Sequence, residues 1–177
     1  MIIGKKTVRY RTIDSTNTAA RRLIGQGEGE GLVVQAAEQT AGRGKPGSRW
    51  ASPPGNLYYS AVVRPFRNQR ELAPLTLLAA LAARQVLQSY RPVTVVIKWP
   101  NDLLVRGRKI GGILTERLAS GHVIIGIGLN LNRLPSAVKA SAISLRQLTG
   151  KKVSPEAVAD RLNLALDKEY RSFLKRS

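Results

Sequence analysis

Apolar residues occupy every second position from Val123 to Leu131, and this period of two predicts a β-strand with one continuous apolar face. The other face of the strand carries Gly126 and Gly128, followed by the amide side chains of Asn130 and Asn132. We expect the apolar face to be part of the core. The glycine face indicates either a ligand or another backbone lying directly against the strand, or a bulged strand beside a close helix.

The rest of the pattern predicts a strand-rich middle with few helices. Strands are predicted at 7–11, 32–34, 56–63, 93–98, 109–116 and 122–132, and helices at 16–25, at 72–90 and from Pro155 onwards. Residues 40–50 lack an apolar pattern and are expected to form a flexible segment between strands. Because the helices are segregated from the strands, we predict an α+β fold. No repeat or low-complexity linker divides the chain, so a single domain over residues 1–177 is expected.

The chain contains no cysteine and one histidine, His122. The lack of cysteine excludes disulfides, cysteine-ligated zinc, iron–sulfur clusters and thiol nucleophiles. A Ser-His-Asp triad or a multi-histidine metal site would have to be built on one imidazole, and neither is expected. No stretch approaches the roughly 18 apolar residues of a membrane span. We therefore expect a soluble cytoplasmic protein.

Positive charge is concentrated in the middle of the chain. The sequence holds 29 Lys and Arg against 11 Asp and Glu, a net charge of +18, and residues 39–155 hold 18 of the basic residues but only three of the acids. Such a block attracts an anionic ligand or partner, although scattered basic residues also serve solubility. Lys and Arg form no run of five, and aromatic residues are not interleaved with them, so nucleic-acid binding is not expected.

The segment from Gly42 to Gly47 matches the dinucleotide pattern G-x-G-x-x-G, but its surroundings contradict that reading. Pro46 stands where the following helix would begin, and Glu71 does not end a strand as the ribose-binding acid must. What remains is a loop rich in backbone N–H groups with several cations, which suits phosphate or carboxylate oxygens. An ordinary exposed loop is the alternative.

Two further segments place charges beside glycines or turns. Lys98, Asn101 and Asp102 follow one another across a proline turn, and a carboxylate near phosphates suggests a magnesium contact. Lys109 is followed by Gly111 and Gly112, which let a ligand approach the backbone closely. For both segments a plain turn with a solvated lysine is the alternative.

Five segments together resemble the catalytic domain of biotin protein ligases, also called biotin–[acetyl-CoA-carboxylase] ligases. They are DSTN at 14–17, QTAGRG at 39–44 continuing to Trp50, KWPND at 98–102, KIGGIL at 109–114 and GIGLN at 126–130. Each is weak alone, but five in the order and spacing of the family are specific. The resemblance covers roughly residues 8–132. It implies a mixed β-sheet backed by helices, similar to lipoate ligases and class II aminoacyl-tRNA synthetases.

The resemblance also implies an activity and its site. The family couples biotin to ATP, forming biotinyl-5′-AMP and pyrophosphate, and transfers biotin to a lysine of the biotin carboxyl carrier domain of acetyl-CoA carboxylase. By resemblance, the ureido end of biotin contacts Ser15, Thr16, Asn17 and Gln39, with Gly112 lining the pocket. The adenylate loop contains Gly42, Arg43, Gly44 and Lys45, and Trp50 packs near adenine.

The phosphate side of the site follows from the same resemblance. Lys109 matches the lysine that contacts the biotin carboxylate and the reacting phosphate. The positions around the phosphates, Mg²⁺ and nucleotide are Lys98, Asn101, Asp102 and Asn130. Asp102 is the expected magnesium contact and a candidate to orient or deprotonate the acceptor lysine. Fixed cations with Mg²⁺ stabilise the charge of both steps, so no histidine is needed.

Departures from the family leave alternatives open. Lys45 stands where arginine is usual and Ser48 where a second basic residue is frequent, so we expect weaker retention of the adenylate. A helix-turn-helix before the domain and a β-barrel after it are not expected, so repressor activity is not implied. The alternatives are a lipoate or octanoate ligase or transferase, a degenerate ligase that binds biotin without transferring it, and a basic nucleic-acid-binding module. A homodimer is left open.

Overall fold

A computed structural model describes residues 1–45, 47–65, 72–90 and 93–176. Within them lie seven strands: β1 (Lys6–Ile13), β2 (Leu32–Gln39), β3 (Leu57–Val63), β4 (Val96–Lys98), β5 (Asp102–Val105), β6 (Arg108–Arg117) and β7 (Val123–Leu129). The α-helices of this part of the chain are α1 (Thr16–Gly25), α2 (Ala73–Gln88), α3 (Leu145–Thr149) and α4 (Pro155–Arg176). None of these helices is long and apolar enough to cross a membrane.

All seven strands belong to one sheet in the order β1-β2-β3-β7-β6-β5-β4. The β1–β2 pair is parallel, with α1 as its crossover, and the other neighbours pair antiparallel. The sheet is therefore mixed, and the predicted α+β class with helices backing a mixed sheet is confirmed.

Strand β7 divides its side chains between the two faces as its sequence predicts. Ile125 and Leu129 belong to the large core that α2 and α4 form on one face of the sheet. Ile124 belongs to a smaller apolar cluster with Ala20 of α1 on the other face. Helix α1 covers only part of that second face, so the stretch of sheet around Gly128 is left for the functional site.

Three short elements of the described residues were not predicted: β5, α3 and a 3₁₀ turn at Ser136–Val138. Strand β5 pairs with β4 as a hairpin, and its alternation is limited to buried Leu103 and Val105, too few positions to distinguish a strand from a turn. Helix α3 has five residues and is held by a capping box between Ser144 and Gln147 and by Gly150 at φ 72°.

The predicted boundaries are correct to within three residues except for β2, which continues to Gln39, five residues beyond its predicted end. The expected flexible segment has more structure than predicted. Its ends are tied by antiparallel bridges between Arg43 and Arg49 and between Gln39 and Ser52. We call residues 40–45 and 47–50 the cationic loop. Pro46 and Glu71, which the sequence argument used, lie outside the described residues, and a single domain over 1–177 stays a prediction.

Candidate active site

A cavity of about 180 Å³ lies on the α1 face of the sheet, bounded by the start of α1, strands β6 and β7 and the cationic loop. Twelve of the fifteen residues that the resemblance assigns to the site line it: Ser15, Thr16, Asn17, Gln39, Arg43, Gly44, Lys45, Trp50, Asn101, Asp102, Lys109 and Gly112. These positions are far apart in the chain. The fold therefore brings the predicted segments to one place.

Three predicted residues do not line this cavity. Gly42 is buried at the base of the cationic loop, where a Cβ would lie 2.3 Å from the Trp50 carbonyl oxygen, so its role in this structure is close packing. Lys98 is exposed on β4, the edge strand. Asn130 lines an adjoining cavity of about 150 Å³, which shares Trp50 and Lys109 with the first. The ligand roles expected for these three remain predictions.

The glycine face of β7 is approached by protein side chains. A Cβ on Gly128 would lie 2.6 Å from the Trp50 ring, and one on Gly126 would lie 2.3 Å from Asn17 Oδ1. On β6, a Cβ on Gly112 would lie 3.2 Å from the same ring. The sequence argument expected a ligand or a backbone here; instead, an indole and an amide occupy the space, and only glycine permits this approach.

One end of the cavity is a buried hydrogen-bond network. The backbone N–H of Thr16 donates to Gln39 Oε1 at 2.8 Å, and Gln39 Nε2 donates to Ser52 Oγ at 2.9 Å. The Ser60 hydroxyl donates to Asn17 Oδ1 at 2.6 Å and lies 2.8 Å from Thr16 Oγ1. Because the acceptors and donors of these buried groups are paired, the network has a fixed geometry.

The turn before α1 is held by Asp14. Its Oδ1 accepts from the backbone N–H of Ser15 at 2.7 Å, and Arg22 donates to both carboxylate oxygens at 2.9 and 3.1 Å. Burial pushes the pKa of Asp14 up, but the hydrogen bonds from Arg22 and Ser15 and the charge of Arg22 outweigh it and hold that pKa below its ordinary value. The carboxylate thus fixes the residues that begin the polar end of the cavity.

Lys109 stands between the two cavities. Its Nζ lies 2.7 Å from Asp102 Oδ1 and 5.4 Å from the centre of the Trp50 ring, a salt bridge and a cation–π contact. Beside it, the buried Asn101 amide donates to the Ile113 carbonyl at 3.3 Å. From the boundary between the two cavities, the Lys109 ammonium can reach an anion in either one. The salt bridge to Asp102 holds the ammonium in this position.

Sequence reasoning missed three polar residues of the site: Ser52, Ser60 and Glu116. Glu116 Oε2 accepts from Arg43 Nη2 at 3.1 Å and so ties the cationic loop to β6. A signal was available, because Glu116 lies on the same face of the strand as Gly112 and Leu114 by the period of two. Ser60 pairs with Gly126 across β3 and β7, a relation that only the sheet register shows.

The comparisons with known proteins agree with this geometry. A family model described as the biotin/lipoate A/B protein ligase family matches residues 9–130, and the chain belongs to this family. The bifunctional ligase/repressor BirA of Bacillus spizizenii is 37% identical over 182 residues, which cover 98% of this chain and 56% of that protein. The biotin–[acetyl-CoA-carboxylase] ligase of Paracoccus denitrificans is 40% identical over 160 residues, which cover 84% of this chain and 66% of that protein.

Among solved structures, the biotin protein ligase from Aquifex aeolicus in complex with biotin and ATP superposes with a TM-score of 0.87 at 29% identity. The match covers 98% of this chain and 73% of that one. The resemblance drawn from the five segments is therefore confirmed at the level of family and fold. The chain spans 56% of the Bacillus relative and 66% of the Paracoccus relative.

Proposed function

We propose that this chain is the catalytic domain of an ATP-dependent biotin protein ligase, which forms biotinyl-5′-AMP and passes biotin to a lysine of a biotin carboxyl carrier domain. The observation that carries the proposal is the position of Lys109 between a cavity with a buried polar end and a second cavity behind Trp50. The names of the relatives and the biotin and ATP of the Aquifex complex support the same reading.

The polar end suits the cyclic urea of biotin. A urea presents one carbonyl acceptor and two N–H donors, and Thr16, Asn17 and Gln39 offer both kinds of group. The acyl chain would then run over Gly112 beside Trp50, with its carboxylate at Lys109. A dithiolane such as that of lipoate carries no strong hydrogen-bond groups to match this polar end, which disfavours the lipoate alternative.

The nucleotide would take the cationic side. Arg43, Lys45 and Arg49 lie around the first cavity, and Arg49 also borders the second, where Asn130 stands. In the first step the biotin carboxylate oxygen attacks the α-phosphorus of ATP and pyrophosphate leaves; in the second the acceptor amine attacks the acyl carbon and AMP leaves. Cations that meet the negative charge of the phosphates lower the barrier to both steps. Holding the biotin carboxylate and the phosphate at the same lysine also supplies the proximity that the first step needs.

Magnesium would be held largely by the substrate. No group of three or more His, Cys, Asp or Glu side chains that could hold a metal occurs in the part of the chain that the structure describes. Asp102 offers a hard oxygen beside Asn101 at the cavity wall, and Mg²⁺ is usually bound through one or two carboxylates together with substrate phosphates. The donor set therefore suits Mg²⁺, which would screen the phosphate charge when bound.

For the second step, the acceptor lysine must lose its proton before it attacks the acyl phosphate. The Asp102 carboxylate lines the cavity beside Lys109 and would orient the acceptor lysine or accept its proton. The net charge of +18 would steer an acidic carrier domain towards the protein. A cytoplasmic location and a homodimer remain predictions.

One reconstitution tests the proposal. The protein is incubated with ATP, Mg²⁺, biotin and a purified biotin carboxyl carrier domain, and the carrier is probed with streptavidin while pyrophosphate release is followed. We expect both signals, and changing the acceptor lysine to alanine should abolish labelling of the carrier while the pyrophosphate of the first step is still released. Pyrophosphate release without labelled carrier would indicate a chain that activates biotin only. Binding of lipoate in preference to biotin in isothermal titration would overturn the assignment.

A further inference from the structure

Glu116 is the only carboxylate among the described residues that lies against both the buried polar end of the cavity and the cationic loop. Its Oε2 accepts from Asn17 Nδ2 at 2.7 Å and from Arg43 Nη2 at 3.1 Å, and its Oε1 lies 3.5 Å from Arg21 Nη2. The side chain is 21% exposed. Nothing in the proposed chemistry uses it, yet three elements of the fold meet at this one group.

A carboxylate can only accept hydrogen bonds, and this sets the direction of its neighbours. Asn17 must turn its nitrogen towards Glu116, so its oxygen faces Ser60. The Ser60 hydroxyl donates to that oxygen and also lies 2.8 Å from Thr16 Oγ1, whose own hydroxyl donates to Gln39 Oε1 at 3.2 Å. The orientation of the Gln39 amide is fixed by a similar argument. The backbone N–H of Thr16 can only donate, so the Gln39 side chain must turn its oxygen towards Thr16.

The same carboxylate restrains the cationic loop. Among the described residues of the loop, Arg43 forms a salt bridge with an acidic side chain, Glu116. The two residues are 73 positions apart in the chain. The Gln39–Ser52 bond continues to the carbonyl oxygen of Trp50 at 2.9 Å, so the two ends of the loop are tied to one network. A charge-assisted bond is stronger than a neutral one, and most of the loop is exposed, with Gly42 buried and Gly44 and Trp50 half-buried.

We propose that Glu116 is a positioning residue that orients the Asn17 amide at the biotin end of the cavity and holds the cationic loop over it through Arg43. The part of this inference that concerns biotin rests on the proposed function. The part that concerns the restraint on the cationic loop does not. Two substitutions separate the roles. Glu116→Gln removes the charge and keeps an acceptor oxygen, whereas Glu116→Ala removes both.

The first measurement uses no substrate. Amide hydrogen exchange of peptides covering the cationic loop is compared in the wild type, the two Glu116 variants, Arg43→Ala and the matched control Glu28→Gln. Glu28 is a carboxylate paired with Lys6 and does not line the cavity. We expect at least threefold faster exchange in the loop for both Glu116 variants and for Arg43→Ala, and wild-type exchange for Glu28→Gln, because a charged pair contributes about that factor or more.

The second measurement is the affinity for biotin by isothermal titration, with the KM for biotin and for ATP in pyrophosphate release. We expect Glu116→Ala to weaken biotin binding about tenfold, because Asn17 Nδ2 loses its principal acceptor, and to raise the KM for biotin more than the KM for ATP. Glu116→Gln should change biotin binding less than about threefold, since an acceptor remains.

The outcomes are distinct. Wild-type protein that binds no biotin would refute the proposed function, and the exchange of the loop would still decide the restraint by Glu116. Loop exchange in Glu116→Gln equal to that of Glu28→Gln would overturn the inference, as would biotin binding in Glu116→Ala equal to that of the wild type. If Glu116→Ala does not fold, Glu116→Gln and Arg43→Ala still test the restraint on the loop.

Discussion

Replacing Gly126 with alanine adds one methyl group to β7. We expect this methyl group to disrupt the buried polar end of the cavity more than one added at any other position of the strand. The new Cβ would lie 2.3 Å from Asn17 Oδ1 and 3.0 Å from both Asn17 Cγ and Nδ2. Non-bonded contacts of this kind require roughly 3.5 Å, so the amide must move by about 1 Å. Such a movement breaks or lengthens the bonds of Asn17 to Ser60 and Glu116, which are 2.6 and 2.7 Å long.

The cost follows from those bonds. Overpacking of a buried site costs about 1–3 kcal/mol. A neutral hydrogen bond contributes about 1 kcal/mol and one to a charged group about 1.5–3 kcal/mol. Allowing for partial relaxation, we expect Gly126→Ala to lower the free energy of unfolding by roughly 3 kcal/mol, and the melting temperature by about 6–12 °C for a chain of this size. Biotin binding should be lost with it.

Thermal unfolding and biotin titration check this prediction, with Gly25→Ala as the matched control. A Cβ on Gly25 meets nothing within 4 Å, so this variant should be unchanged or up to about 1 kcal/mol more stable. Asn17→Ala removes the group that the new methyl meets. In that background Gly126→Ala should cost much less than in the wild type, and strictly additive costs, or a Gly126→Ala protein that melts and binds like the wild type, would refute the reasoning.

Three further outcomes are expected. Arg43→Ala and Lys109→Ala should each abolish most adenylate formation, measured as pyrophosphate release, and near-normal rates would remove that residue from the site. Asp167→Ala should lower the free energy of unfolding in urea by about 2 kcal/mol, because this buried carboxylate accepts two backbone N–H groups of the N-terminal segment; an unchanged midpoint would contradict it. The hydrogen bond from the Ser154 hydroxyl lowers the pKa of Glu156. Because its pKa is lowered on folding, the ionised Glu156 stabilises the fold at pH values above its ordinary pKa of 4.5. The urea midpoint of Glu156→Gln should therefore lie below that of the wild type at pH 7, and the difference should disappear as the pH falls through the lowered pKa.

Local sequence was sufficient where a residue's role depends on its own strand or turn. The alternation along β7 separates core from site without knowledge of any neighbour, because Ile125 and Gly126 must face opposite sides. The five segments likewise carry their chemistry in consecutive residues. The resemblance of these segments to a known family, rather than periodicity, assigned the twelve residues that line one cavity and the mixed sheet, before the strand order was known.

Roles that depend on a partner in another element were beyond the sequence. Ser60 is an unremarkable serine until the register of β3 and β7 places it opposite Gly126, where its hydroxyl meets Asn17. Lys98 shows the converse: the resemblance implies a position around the phosphates, but Lys98 lies on β4 at an edge of the sheet and does not line the cavity. Alternation gives the face of a side chain, whereas its chemistry also depends on which strand stands beside it. Alternation places Glu116 on the face of β6 that carries the site. Glu116 was missed because its contacts with Asn17 and Arg43 exist only in the folded chain.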